Sequence, residues 1–179
     1  MTVSDPVGQQ RLPDDQNLAP WRAFLIAHAR VTRRMDEELR AEHHISFAEY
    51  EALLHIAQAA DRRIRMGLLA EQVLLSKSGI TRLIDRLVGD GLVERSACAS
   101  DARGAEAVLT RRGLDRLRAA SRTHLRGIDE HFLAVMGTSD LEVLERSMTA
   151  VARQAGPGGA ESELCAPDVD GSSDPLTVS

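Results

Sequence analysis

The chain has 179 residues, 43% of them apolar but only 3% aromatic, and a formal net charge of −5. That length can bury a real core, and with one Trp, one Tyr and three Phe the core must be built from Leu, Ile, Val, Ala and Met. No apolar run reaches the roughly 18 residues of a membrane span and the opening residues lack the basic-then-apolar order of a secretion signal, so a cytoplasmic protein with no membrane partner is expected. The charge is unevenly spread. Glu161, Glu163, Asp168, Asp170 and Asp174 put the whole net charge in the last 25 residues, while Ser76–Arg112 carries seven basic against five acidic groups.

Residues 1–17 are polar with two prolines and read as a flexible arm. From Leu18 to about Glu42, Trp21, Leu25, His28, Val31, Met35 and Leu39 recur at three- and four-residue intervals, the stripe of a helix. Ser46 and Glu49 then form a capping box, in which each side chain satisfies the other's free backbone N–H, with Ile45 and Tyr50 at staple spacing. Phe47, Tyr50, Leu53, Leu54 and Ala57 give a second helix to about Ala60, and Asp61–Arg65 reads as a short polar connection.

A short helix is expected over Met66–Val73 with Leu68, Leu69, Ala70 and Val73 inward. Ser76 caps the next, where Ile80, Leu83, Ile84 and Leu87 make the buried stripe and Lys77, Ser78, Thr81, Arg82 and Asp85 lie opposite. Two such helices, a few residues apart, outline a helix-turn-helix. Gly89-Asp90-Gly91 stops the second. Leu92–Arg95 and Ala105–Leu109 read as paired strands around a nine-residue polar wing loop, Ser96–Gly104.

Thr110 caps a long helix with Leu114, Leu117, Leu125, Ile128, Phe132 and Val135 as its stripe, broken by Gly137. Ser139 opens the last, where Leu141, Leu144, Met148 and Val151 mark a helix-packing seam. Beyond Gln154 the composition is that of a disordered acidic tail.

Leu69-Ala70-Glu71, the run SKSGITRLIDRLVGDGLVER from Ser76 to Arg95, Asp101-Ala102-Arg103-Gly104 and Val108-Leu109-Thr110 together resemble the MarR (multiple antibiotic resistance regulator) family. The resemblance spans about Leu18 to Gln154. It implies a mainly helical fold with a small β-hairpin wing: an N-terminal dimerisation helix over 18–45, a winged helix-turn-helix over 46–110, C-terminal dimerisation helices over 111–154 and the acidic tail at 155–179. Gly79 and Ala102 depart from the family pattern, which favours a better helix former and a second basic residue there.

The function so implied is a homodimeric repressor of transcription, binding a pseudo-palindromic double-stranded DNA operator and modulated by a small-molecule effector. Ser76, Lys77, Ser78, Thr81 and Arg82 fill the half of a recognition helix that reaches base edges in the major groove, where Arg82 can donate two parallel bonds to guanine. Arg103 at the wing matches the family's minor-groove arginine, with Asp101 and Arg86 as wing support. An effector cleft would take in Trp21, His55, Arg122 and His124, which by themselves read as surface or packed residues.

The two cysteines, Cys98 and Cys165, lack partners at ligand spacing, so no zinc site or other cofactor is expected. No GxSxG, glycine-rich phosphate loop, HExxH or carboxylate cluster points to an enzyme. The alternative is a winged-helix module that contacts proteins and does not read DNA.

Overall fold

The computed structural model describes residues 15–98 and 101–155; the expected arm up to residue 14 and the tail from residue 156 lie outside them. Helix α1 (Asp15–His43) leads into α2 (Phe47–Gln58), a 3-10 turn (Ala60–Arg62), strand β1 (Arg63–Arg65), α3 (Met66–Gln72) and α4 (Lys77–Gly89). Strands β2 (Val93–Cys98) and β3 (Asp101–Leu109) follow, then α5 (Arg111–His131), a second 3-10 turn (Leu133–Val135) and α6 (Thr138–Ala155).

The sheet has three strands in the order β1-β3-β2, both pairings antiparallel. β1 occupies what the sequence presents as a polar connection. Its pattern is one buried Ile64 between two exposed arginines, and three residues are too few for alternation to stand out. The wing is a longer hairpin than expected: ladder pairs run from Val93↔Leu109 to Cys98↔Asp101, with a register shift between Ala97 and Cys98. Most of the expected loop is therefore strand.

One continuous core joins α2, α3, α4, the base of the hairpin and the first half of α5. Leu53, Ile56, Leu69, Ile80, Ile84, Leu87, Leu92 and Leu117 are fully enclosed, and Leu39 and Ile45 tie the end of α1 into the same cluster. Leu68, expected inward, points to solvent.

Local chemistry sets the corners. The capping box at Ser46 and Glu49 is formed in both directions. At the end of α4, Gly91 takes φ 69°, and Leu92 and Gly91 N–H groups return to the carbonyls of Leu87 and Val88 at 2.9 Å each, a Schellman closure. α3 ends in the same way through Leu74, at φ 55°, with Leu75 N–H on Ala70 O at 2.9 Å. A leucine in this left-handed conformation is costly, and this one is 90% exposed. Thr110 Oγ1 accepts from Gly113 N–H at 2.9 Å and donates to Gly91 O at 2.8 Å, so the cap of α5 also closes the entry to β2.

The outer helices differ from their expected stripes. Every residue of α1 from Ala19 to Arg30 is exposed, including Trp21, Leu25 and His28, and only Met35 and Leu39 are buried. On α5 the buried face is Leu114, Leu117, Ala120, Ser121, Thr123 and Gly127. Leu125 is 63% exposed, and α5 ends at His131, before Phe132 and Val135. Small residues make the contact because α1 runs close: a methyl at Gly127 would stand 3.2 Å from Met35 Cγ. α6 buries no residue fully. No described helix is long and apolar enough to cross a membrane.

Candidate nucleic-acid interface

α4 begins at a well-formed cap. Ser76 Oγ accepts from Gly79 N–H at 3.1 Å and lies 3.2 Å from Ser78 Oγ. A methyl at position 79 would come within 3.2 Å of that same Oγ, so glycine leaves the capping hydroxyl room. Ser76, Lys77, Ser78, Thr81 and Arg82 are all exposed on the first two turns, while Ile80, Leu83, Ile84 and Leu87 are buried on the opposite side. Thr81 Oγ1 donates back to Lys77 O at 2.8 Å, leaving the hydroxyl oxygen's lone pairs and the methyl facing outward. Lys77 and Arg82 hydrogen-bond to no described residue. The helix thus offers two uncommitted cations and three hydroxyls at the end where its own unpaired N–H groups favour anions.

The wing is braced against this helix by a pair the sequence reading missed. Arg95 on β2 meets Asp85 on α4 at 2.9 Å and also donates to Thr81 O at 3.2 Å. The two positions are ten residues apart, across a turn whose geometry no periodicity reveals. Asp101 and Arg103 lie on β3, and their side chains, like that of Cys98, fall outside the described part.

Arg86, expected to support the wing, is engaged elsewhere. Its Nε donates to Glu49 Oε1 on α2 at 2.8 Å. Glu49 Oε2 at the same time accepts from Ser46 N–H at 2.8 Å and Ser46 Oγ at 2.9 Å. Burial alone would raise the Glu49 pKa, but the Ser46 N–H, Arg86 and the Ser46 hydroxyl outweigh it and hold the carboxyl below its usual range. The capping residue therefore does a second task, and the N-cap motif alone gives no hint of it.

The four candidate effector residues are scattered. Trp21 is 56% exposed on the free part of α1 and stacks on Phe24, with ring centroids 6.0 Å apart. Arg122 is exposed on α5 and His55 is half-buried on α2. His124 stacks on Tyr50 at 4.2 Å and lies 5.9 Å from Phe47; its Nδ1 is buried without a hydrogen-bond partner. Burial lowers its pKa to about 4. No ring contact or hydrogen bond joins any two of these four among the described residues, and no group of three described metal-ligating side chains comes together.

Residues 43–104 match the sequence model described as MarR family. Among solved structures, the chain is similar to AbsC, a MarR family transcriptional regulator from Streptomyces coelicolor, at 29% identity and TM-score 0.74, with 81% of this chain and 97% of that one covered. It is similar to a second MarR family transcriptional regulator from Streptomyces coelicolor, solved in complex with DNA, at 25% identity and TM-score 0.79, with 86% and 96% covered. BldR, a transcriptional regulator from Sulfolobus solfataricus, shares the fold at 22% identity and TM-score 0.67, with 78% and 96% covered. A comparison with curated proteins gave no match.

Proposed function

From a winged helix that belongs to the MarR family, we propose that this chain is a DNA-binding regulator of transcription that reads an operator through α4. The observation that carries the reading is the outer face of the first two turns of α4, where Lys77 and Arg82 stand exposed and unpaired beside Ser76, Ser78 and Thr81. A helix presenting such a face fits the major groove, with arginine suited to guanine and hydroxyls to phosphates or base edges. That one similar regulator is solved in complex with DNA supports the same use of the fold here. Arg103 is assigned to the minor groove through its place on β3.

The regulator acts as a homodimer on a pseudo-palindrome whose half-sites face the two copies of α4. The exposed Trp21, Phe24, Leu25 and Ile26 on α1 and the weakly buried seam of α6 support pairing through the outer helices. Repression follows where the operator overlaps a promoter, and an effector bound beside Tyr50 and His124 modulates it by preferring one arrangement of the dimer. The buried, unpartnered Nδ1 of His124 supports that location.

Fluorescence anisotropy with duplexes tiled across the DNA flanking the chain's own gene tests the reading. A preference for one duplex over its shuffled version is expected, with affinity falling as salt rises, by about 0.9 in log–log slope for each phosphate neutralised. Absence of binding at low salt would instead favour a winged helix that contacts proteins.

A further inference from the structure

We infer that Glu49 is a positioning residue for the recognition helix: its carboxylate fixes the orientation of α4 against the α1–α2 corner through Arg86, an inference that rests on α4 being the DNA-reading element. The apolar stripe of α4, Ile80, Leu83, Ile84 and Leu87, supplies burial but little direction, since the hydrophobic effect scales with area and tolerates small rolls and slides. The Glu49–Arg86 contact is directional. Arg86 Nε and Glu49 Oε1 are 2.8 Å apart, with the glutamate side chain only 11% exposed and the arginine 58%. A charge-assisted bond with one end enclosed has both strength and a fixed geometry.

The carboxylate is itself immobilised, which is what makes it useful as an anchor. Its other oxygen is held by the backbone and the hydroxyl of Ser46. The same corner is tied to α1, where Asp36 Oδ1 accepts from Phe47 N–H at 2.8 Å and Oδ2 accepts from Arg40 Nε at 2.6 Å. A series of directed bonds thus runs from α1, through the cap of α2, to a residue one turn beyond Arg82 on α4. Arg82 reaches outward from that turn, so a roll of α4 about its axis would carry the guanidinium off its base edge while leaving the core packed.

The test compares Glu49→Gln, Arg86→Gln and the double variant with wild type and with Arg82→Ala. The readouts are anisotropy on the preferred flanking duplex and on its shuffled version across a salt series, together with thermal unfolding. Each single variant is expected to weaken binding to the preferred duplex roughly tenfold, the scale on which small misplacements of a recognition group act. Weak binding to the shuffled duplex and the salt slope should stay unchanged, and the double variant should be no worse than the singles because one interaction is lost in all three.

If Arg86→Gln lowers the salt slope by about one while Glu49→Gln leaves affinity alone, Arg86 is a phosphate contact and the inference is wrong. It is equally wrong if both variants lower only the unfolding temperature and the folded proteins keep the wild-type preference. Arg82→Ala separates these failures from that of the premise: if it too leaves the preference intact, α4 is not the reading element and the functional proposal falls with the inference.

Discussion

The winged-helix lobe and the outer helices treat their apolar residues in opposite ways. In the lobe, Leu53, Ile56, Ile80, Ile84, Leu87 and Leu92 are enclosed, and each helix end is closed by a cap or a Schellman turn. On the first half of α1 and along α6, Trp21, Phe24, Leu25, Ile26, Val143 and Val151 face outward, and no residue of α6 is fully buried. Composition does not distinguish the two regions; geometry does. The lobe completes its core from its own chain, whereas the outer helices carry apolar stripes with nothing of this chain against them. An isolated stripe of this kind gains its burial only from association.

The sharpest way to break the contrast is at the junction. Gly113 begins α5 where a methyl would overlap the Leu92 carbonyl oxygen and press on Leu109 Cδ1. Neither obstacle is a freely rotating chain end, so Gly113→Ala should cost roughly 3 kcal/mol in urea unfolding. A pair of truncations sharpens it further. Leu53→Ala opens a cavity in the enclosed core and should cost about 3 kcal/mol. Leu144→Ala on α6 should cost under about 1 kcal/mol in dilute protein and show its effect in sedimentation, as weaker self-association. Equal costs for the two would erase the distinction between the regions.

The lobe's boundary with α5 also carries a pH dependence. His124 titrates at about 4 when folded, against 6.5 for an unperturbed imidazole. The unfolded chain therefore binds its proton first, and stability is expected to fall as the pH drops from 6.5 toward 4. The loss should be on the order of 2 kcal/mol, less than the full shift implies because the residue is only partly buried. His124→Phe keeps a ring against Tyr50 and should flatten this limb of the profile, read by thermal unfolding across pH. The smallest effect is expected at Leu74. Leu74→Gly relieves a left-handed leucine at the turn between α3 and α4, and should stabilise by roughly 0.5 kcal/mol after the added freedom of the unfolded chain is counted.

How far the sequence could be read follows the same division. Ser46 with Glu49, Ser76, Thr110 and Gly91 act over three to five residues, and each stands in the structure as its local chemistry dictates. The stripe of α4 was legible because large apolar residues at i, i+3, i+4 and i+7 pack on one side. On α5 the same rule misplaced Leu125, because the contact with α1 is made by small and polar residues. Gly113, Ala120 and Gly127, seven apart, were the available clue. On α1 the period was correct, but it marked a face that this chain alone does not cover.

The candidate site divides likewise. The exposed set from Ser76 to Arg82 follows from helical position alone. The braces Arg95–Asp85 and Arg86–Glu49 depend on how separate elements meet, which is a property of the fold and of no single segment. Spacing placed Arg86 beside the wing; the structure turns its Nε to α2.

The most direct measurement is the ratio of affinities for the preferred flanking duplex and its shuffled version, for wild type and Arg82→Ala at one fixed salt concentration. If α4 reads bases, the wild-type ratio is large and Arg82→Ala reduces it by roughly tenfold or more, the value of one good bidentate contact to guanine, while shuffled binding changes little. An unchanged ratio in Arg82→Ala, or a wild-type ratio of one, would contradict the account.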